Sequence, residues 1–433
     1  MARRFISFLG TSPYLECCYR FNEKITSPVR FVQESTIGFC CRDWGDYDRV
    51  LIFATAEAEN RNWVDNGHGD GQMGLAARLA RLKLKCPVQM VHIPEGHDES
   101  QIWDIFALVL EQLKHGDEVL FDITHAFRSI PLLAMVILNY AKVAFNARLI
   151  GIYYGAFEVL GNPRRVEKEL PDPKSRVVPL LDLTPLDRLL DWSFAVDKWI
   201  KAGDATALQA LARASLAPLL KESQGKNPAA AAFRRLGDSL KQFTMSMSTC
   251  RSKEISKNAL LLKEVVDECG RADLVSPLKP LLARIENEVS RFRQDPVADG
   301  IQSARWCLEH HLIQQGITIL YETLVTWCLV AAGERGLISD KDARMIASQA
   351  LDIVKRQRPE HAWEGGAKKD PVLTRRLVNM IHACPGVAKA ASILREYRND
   401  INHSGMGANC KSAELFAKKL GEQLNSLENL LVA

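Results

Sequence analysis

The sequence predicts an α/β domain followed by an all-α region. Three observations carry this expectation. Five short runs rich in Val, Ile, Leu and Phe alternate with helical patterns over the first 155 residues. Turn-forming stretches at Gly161–Arg165 and Pro171–Ser175 close that region, and from Thr184 onward the pattern is helical almost to the end. A chain of 433 residues is too long for one core, so several domains are expected, over 1–182, 183–297 and 298–433.

The strands are expected at Phe5–Leu9, Val50–Thr55, Val88–Ile93, Glu118–Ile123 and Ala147–Tyr154. Helices are expected between them at Met73–Leu84, Ser100–Leu113 and Pro131–Phe145. Near-continuous apolar strands separated by helices imply a parallel sheet covered on both faces, a Rossmann-like domain. Tyr14–Cys41 lacks a clean helical period and reads as an inserted hairpin turning at Thr26-Ser27-Pro28. Thr184 is the expected N-cap of the next helix, with Pro185 at N1 and Asp187 at N3. Weak helix breaks follow at Gly203, at Gly225–Pro228 and at Gly270. Ala304–Val330 reads as one long, buried central helix, with Ile313, Ile317, Leu320, Leu324 and Cys328 along one face.

Composition narrows the function classes. Hydrophobic content of 47% and charged content of 25% are ordinary for a globular protein. The net charge is +4, yet 198–294 carries 17 Lys and Arg against 10 Asp and Glu. That excess suits either a phosphate backbone or solvated helix faces. The eleven cysteines include no C-x-x-C spacing, which argues for free thiols and against a structural zinc site. No tight His/Asp/Glu cluster appears, so neither a metal nor a cofactor is expected. The apolar run after Met1 stops at Gly10, and no run reaches membrane-span length, so a cytoplasmic protein without a membrane partner is expected.

The densest chemistry lies at Asp122-Ile-Thr-His-Ala-Phe-Arg-Ser129, between the fourth strand and a helix opened by Pro131. An acid, a hydroxyl, an imidazole, a ring and a guanidinium stand at the carboxyl end of a strand, where ligands bind in open α/β sheets. The plain alternative is a turn with Thr124 or Ser129 as helix cap. A second polar run, Tyr397-Arg-Asn-Asp-Ile-Asn-His-Ser-Gly405, ends a helix-compatible stretch. Asn399 and His403 are i, i+4 neighbours there, and Arg398 lies about 140° from His403 around the axis.

Asp122-Ile123-Thr124-His125 followed by a small residue resembles the Asp-x-Thr-His-Gly motif of a family of CRISPR-associated proteins. These carry an amino-terminal CARF domain, a Rossmann-like sensor of cyclic oligoadenylates, and often a carboxy-terminal HEPN ribonuclease domain. Ala126 stands where the family has glycine, which would cost about 1–2 kcal/mol if that position needs a positive φ. Arg398–His403 resembles the Arg-x4–6-His motif of HEPN ribonucleases, with a polar Asn399 directly after the arginine. Arg305–His310 and Arg356–His361 share the spacing, but the first opens the expected central helix and the second contains Pro359.

The resemblance implies a cyclic-oligoadenylate-activated, metal-independent endoribonuclease cleaving single-stranded RNA. Arg398, Asn399 and His403 would be catalytic at a homodimer interface, with higher oligomers open. Gly10, Thr11, Ser12, Thr55, Asp122, Thr124, His125, Ala126, Phe127 and Arg128 would surround the activator, expected to be cyclic tetra-adenylate. Two alternatives stay open: a ligand-responsive nucleic-acid-binding regulator without catalysis, and a ring nuclease using groups such as Thr11, Ser12 and His125.

Overall fold

The structure is a computed structural model that describes residues 2–124, 130–222, 227–271, 277–407 and 410–431. The chain forms two compact units, Met1–Arg188 and Leu189–Ala433. His125, Ala126, Phe127 and Arg128 lie outside the described residues.

The first unit is built on an eight-stranded mixed sheet. Its strands are β1 (Arg3–Leu9), β2 (Cys18–Phe21), β3 (Lys24–Ile25), β4 (Arg49–Ala54), β5 (Val88–His92), β6 (Glu118–Asp122), β7 (Arg148–Gly155) and β8 (Val177–Asp182). The order is β3-β2-β8-β7-β6-β1-β4-β5. The five expected strands are all present and mutually parallel in the order β5-β4-β1-β6-β7. Chain direction across the sheet therefore reverses between β1 and β6, the arrangement that opens a crevice at the strands' carboxyl ends.

Alternation along the strands feeds two cores. Ile6, Phe8, Phe53 and Phe121 pack beneath α4 (Glu99–Glu111) and α5 (Ile130–Ala144). Phe5, Leu9, Val50 and Leu120 pack beneath α1 (Val32–Cys40) and α3 (Leu75–Ala80), with the single turn α2 (Ala56–Ala58) between the latter two.

Three expectations need correction. The sheet is not purely parallel, because β8 joins β7 antiparallel and the β2–β3 hairpin extends that edge. β8 follows closely on the turn-forming Pro171–Ser175, and Pro179 interrupts its apolar run, so it does not stand out as a strand in the sequence. The hairpin turns at Asn22–Glu23, where Asn22 has φ 53°, and not at Thr26–Pro28, and residues 32–40 of the stretch read as hairpin form the helix α1; Thr26 Oγ1 accepts from Tyr19 N at 2.9 Å. After the short α6 (Pro163–Glu169), Thr184 is the first residue of α7 (Thr184–Ala202) and not its cap. Its N–H donates to Asp182 Oδ1 at 2.9 Å, and Asp187 instead receives Lys142 Nζ at 2.7 Å.

The second unit is helical: α8 (Thr206–Glu222), α9 (Pro228–Ser248), α10 (Ser252–Gly270), α11 (Lys279–Val289), α12 (Ala298–Glu309), α13 (Ile313–Ala331), α14 (Lys341–Arg356), α15 (Gly365–Lys369), α16 (Pro371–Ala383), α17 (Pro385–Asn402) and α18 (Glu414–Leu431). One hydrophobic cluster runs from Trp192 to Leu427, so the middle helices and the carboxy-terminal helices share a core. The single helix expected over 304–330 is two, broken at His310–Leu312. His311 there has φ 59°, while the His310 ring stacks 3.7 Å from Trp306 and its Nδ1 lies 2.7 Å from Trp306 O. α13 is buried around most of its circumference, as the dispersed apolar residues predict. Among the described residues no single helix is long and apolar enough to cross a membrane.

Candidate functional site

The parallel strands gather the expected ligand residues on one edge. Gly10, Thr11 and Ser12 follow β1, Thr55 follows β4, and Asp122 and Thr124 end β6. Gly10–Ser12 and the start of the 122–128 run thus flank the crevice between β1 and β6.

Asp122 and Thr124 face inward. The Thr124 N–H and hydroxyl both donate to Asp122 Oδ1, at 3.0 and 2.6 Å, and Thr124 Oγ1 accepts from Gly155 N at 2.8 Å. The same construction recurs at Asp182 and Thr184, whose Oγ1 accepts from Ile152 N at 3.0 Å. Asp-x-Thr is therefore a staple that fixes a turn to β7, and it is used twice. Thr55 is likewise engaged: its Oγ1 accepts from Ala58 N at 3.2 Å as an N-cap, and the residue is 1% exposed. Of the hydroxyl residues among the described expected ligand residues, Ser12 is exposed and Thr11 half-buried.

Asp122 is fully buried, and its Oδ2 meets no donor in hydrogen-bonding geometry, although the Ser7 and Thr36 hydroxyls stand beside it. Burial pushes its carboxyl up to about 6, against the pull of Thr124 and those two hydroxyls. The folded state therefore binds the Asp122 proton more tightly than the unfolded chain does. Its contribution is fully present below about pH 4 and is lost as pH rises through about 6. Asp122→Asn keeps the Oδ1 acceptor and cannot ionise. Relative to wild type, this variant should gain on the order of 2–3 kcal/mol between pH 4 and 7. Urea unfolding of both proteins across that range measures it, and a pH-independent difference would contradict the assignment.

Asn62 and His68 escaped the sequence reading. Asn62 is 1% exposed, its Nδ2 donates to Gly10 O at 2.8 Å and Ser12 O at 2.9 Å, and its Oδ1 lies 3.1 Å from His68 Nε2. No motif surrounds them, and the contact spans about fifty residues of chain.

In the helical unit, α17 ends where expected. His403 is its C-cap, and Ser404 and Gly405 follow with φ 55° and 67°. Asn399 and His403 are exposed. Arg398 leans on α13: its guanidinium lies 4.3 Å over the Tyr321 ring, and Nη1 donates to Glu322 Oε1 at 3.2 Å. The other oxygen of Glu322 accepts from Arg344 at 2.6 Å. Among the described residues no hydrogen bond joins Arg398 to His403, so one chain presents the two groups separately.

The rival pairs have other occupations. His310 is 4% exposed, and burial lowers its pKa and keeps its ring neutral; Arg305 pairs with Glu428. Arg356 pairs with Asp352 at the end of α14, and His361 lies in the 3₁₀ turn Glu360–Ala362. Among the described residues no group of three or more His, Cys, Asp or Glu side chains is placed to hold a metal.

No family model matches the chain. A stretch of 245 residues, 55% of the chain, is 32% identical to CRISPR-associated protein MJ1674 of Methanocaldococcus jannaschii. That match covers 33% of the relative, so the chain spans about a third of its length.

Proposed function

We propose that the chain is a cyclic-oligoadenylate-activated, metal-independent endoribonuclease of type III CRISPR defence, with a CARF sensor at its amino end and a HEPN ribonuclease at its carboxyl end. The observation that carries this reading is where the two motifs stand. Asp122–Thr124, the described part of the first motif, end the strand beside the β1/β6 crevice, and Arg398, Asn399 and His403 stand in the last turn of a long helix in a separate unit. Similarity to a protein named CRISPR-associated supports the setting.

The chemistry follows from the residue types. The ribose 2′-oxygen attacks phosphorus, the P–O5′ bond breaks, and a proton moves from the 2′-hydroxyl to the departing 5′-oxygen. The exposed His403 imidazole can act as the group that carries that proton. A guanidinium can bind the phosphate through paired donors and offset charge on the phosphorane. Tyr321 and Glu322 hold Arg398 at the rim of α17, and Asn399 can orient the imidazole or bind phosphate. A single-stranded substrate suits in-line attack, because a duplex restricts backbone rotation. Purified full-length protein, activator and labelled RNA in EDTA test the mechanism. Cleavage of single strands should persist, and a strict need for divalent metal would contradict it.

A homodimer belongs to the reading, because HEPN sites join two Arg–His sets. Leu132, Val136, Tyr140 and Val143, spaced along α5, are exposed, and Trp103 on α4 is 59% exposed. Apolar side chains in such a stripe mark an association surface. Val136→Arg with Val143→Arg should shift the protein from dimer to monomer in light scattering at micromolar concentration. An unchanged dimer would remove this face from the interface.

One observation favours the non-catalytic alternative. A groove of about 970 Å³ in the helical unit is lined by Arg251, Lys253 and Lys257, beside Glu322 and Arg344. Those first three cations form no ion pair among the described residues, which suits phosphate binding. RNA retention without cleavage under every activator would favour a regulator.

A further inference from the structure

The loop after β1 is held from behind. Asn62 stands on the single-turn π-helix Glu59–Trp63, an irregularity that recurs at functional sites. Its one amide nitrogen serves two carbonyls, those of Gly10 and Ser12. Both amide hydrogens are thereby used, so Oδ1 must face His68, and His68 Nε2 must carry the hydrogen between them. Glycine makes the approach possible: a Cβ at Gly67 would stand 2.3 Å from Arg61 O, so only glycine lets the chain pass this close beneath the π-helix and deliver His68.

The clamp decides what the loop shows to the crevice. A trans peptide is planar with C=O and N–H opposed. With Gly10 O aimed at Asn62, the Thr11 N–H points away from it. The peptide after Ser12 offers no N–H at all, because Pro13 follows. Two carbonyl oxygens, which would repel phosphate, are thus held on Asn62, and the Thr11 N–H is directed to the opposite side of its peptide.

We propose that Asn62, backed by His68, is the positioning residue that sets loop 10–12 to receive the acceptor atoms of an anionic nucleotide ring. It does so without touching the ligand. This inference rests on reading the sheet's carboxyl edge as the cyclic-oligoadenylate pocket.

The test uses full-length protein, cyclic tetra- and hexa-adenylate, and the variants Asn62→Ala, His68→Leu and His68→Gln. Loss of the clamp should raise the activator Kd and the half-activating concentration about tenfold in Asn62→Ala and less in His68→Leu. Maximal RNA cleavage should stay within about twofold, because the cleavage residues lie in the other unit. A role in folding alone would lower the maximum and leave the half-activating concentration in place. Glutamine can supply the N–H that His68 donates, so His68→Gln should restore affinity. The inference is overturned if Asn62→Ala binds as wild type, or if His68→Gln is as weak as His68→Leu. Should Asn62→Ala fail to fold, the His68 pair decides. Should wild type bind neither ring, the proposed function fails separately. Amide exchange at Thr11 and Ser12 in His68→Leu then judges the clamp: faster exchange supports it and unchanged exchange overturns it.

Discussion

His403→Ala should reduce RNA cleavage by about 10²–10⁴-fold while the activator Kd stays within about twofold of wild type. The magnitude is that of a general acid–base group, since alanine leaves no side chain to move the proton between the 2′-oxygen and the leaving oxygen. Arg398→Ala should be comparably damaging for a different reason, because the developing phosphorane charge loses its paired donors. The two losses should also differ in detail. Removing Arg398 leaves Glu322 with Arg344 alone, so Arg398→Ala perturbs the face of α13 as well, whereas the exposed His403 has no packing to lose. Single-turnover cleavage of labelled RNA at saturating activator measures both. Wild-type cleavage by His403→Ala would remove the catalytic assignment. It would turn attention to the exposed His361, since His310 is buried against Trp306.

Arg128→Ala should do the converse, weakening activator binding about 10–100-fold with maximal cleavage retained once activator saturates. A charge-assisted hydrogen bond to phosphate is worth about 1.5–3 kcal/mol, which sets that range. Arg128 comes four residues after Thr124 in sequence, and the staple commits Asp122 Oδ1 and the one hydroxyl hydrogen of Thr124 to each other. In the proposed pocket, recognition of phosphate would fall to Arg128 and to loop 10–12. Calorimetric titration with cyclic tetra-adenylate measures it, and wild-type affinity in Arg128→Ala would displace the proposed pocket from this edge. Coupling between the units requires only that the ring bind the cleavage-competent arrangement more tightly than the resting one.

Much of this was legible from residue order. Buried parallel strands are continuous apolar runs, so β1, β4, β5, β6 and β7 could be read together with α3, α4 and α5, whereas α1 was hidden in a stretch without a clean helical period. The edge strand β8 was hidden by flanking prolines, and the break at His310–Leu312 by strong apolar periodicity on both sides. At the site, residue types were visible but their commitments were not. Asp122 looks like a ligand group in sequence, yet its carboxylate is buried and holds Thr124. Asn62 looks like surface, yet it is buried and donates to the Gly10 and Ser12 carbonyls of the first loop. Such roles depend on contacts between distant segments, which periodicity does not record.

On the proposed reading, a cyclic oligoadenylate bound at the amino-terminal unit switches on RNA cleavage at the carboxy-terminal one. The measurement that tests it most directly is the cleavage rate of single-stranded RNA by the full-length protein in EDTA, with cyclic tetra-adenylate or hexa-adenylate titrated from zero. The rate should rise saturably with one of the rings, a rise that His403→Ala abolishes and Arg128→Ala shifts to higher concentration. A rate that neither ring changes, or cleavage that survives in His403→Ala, would contradict it.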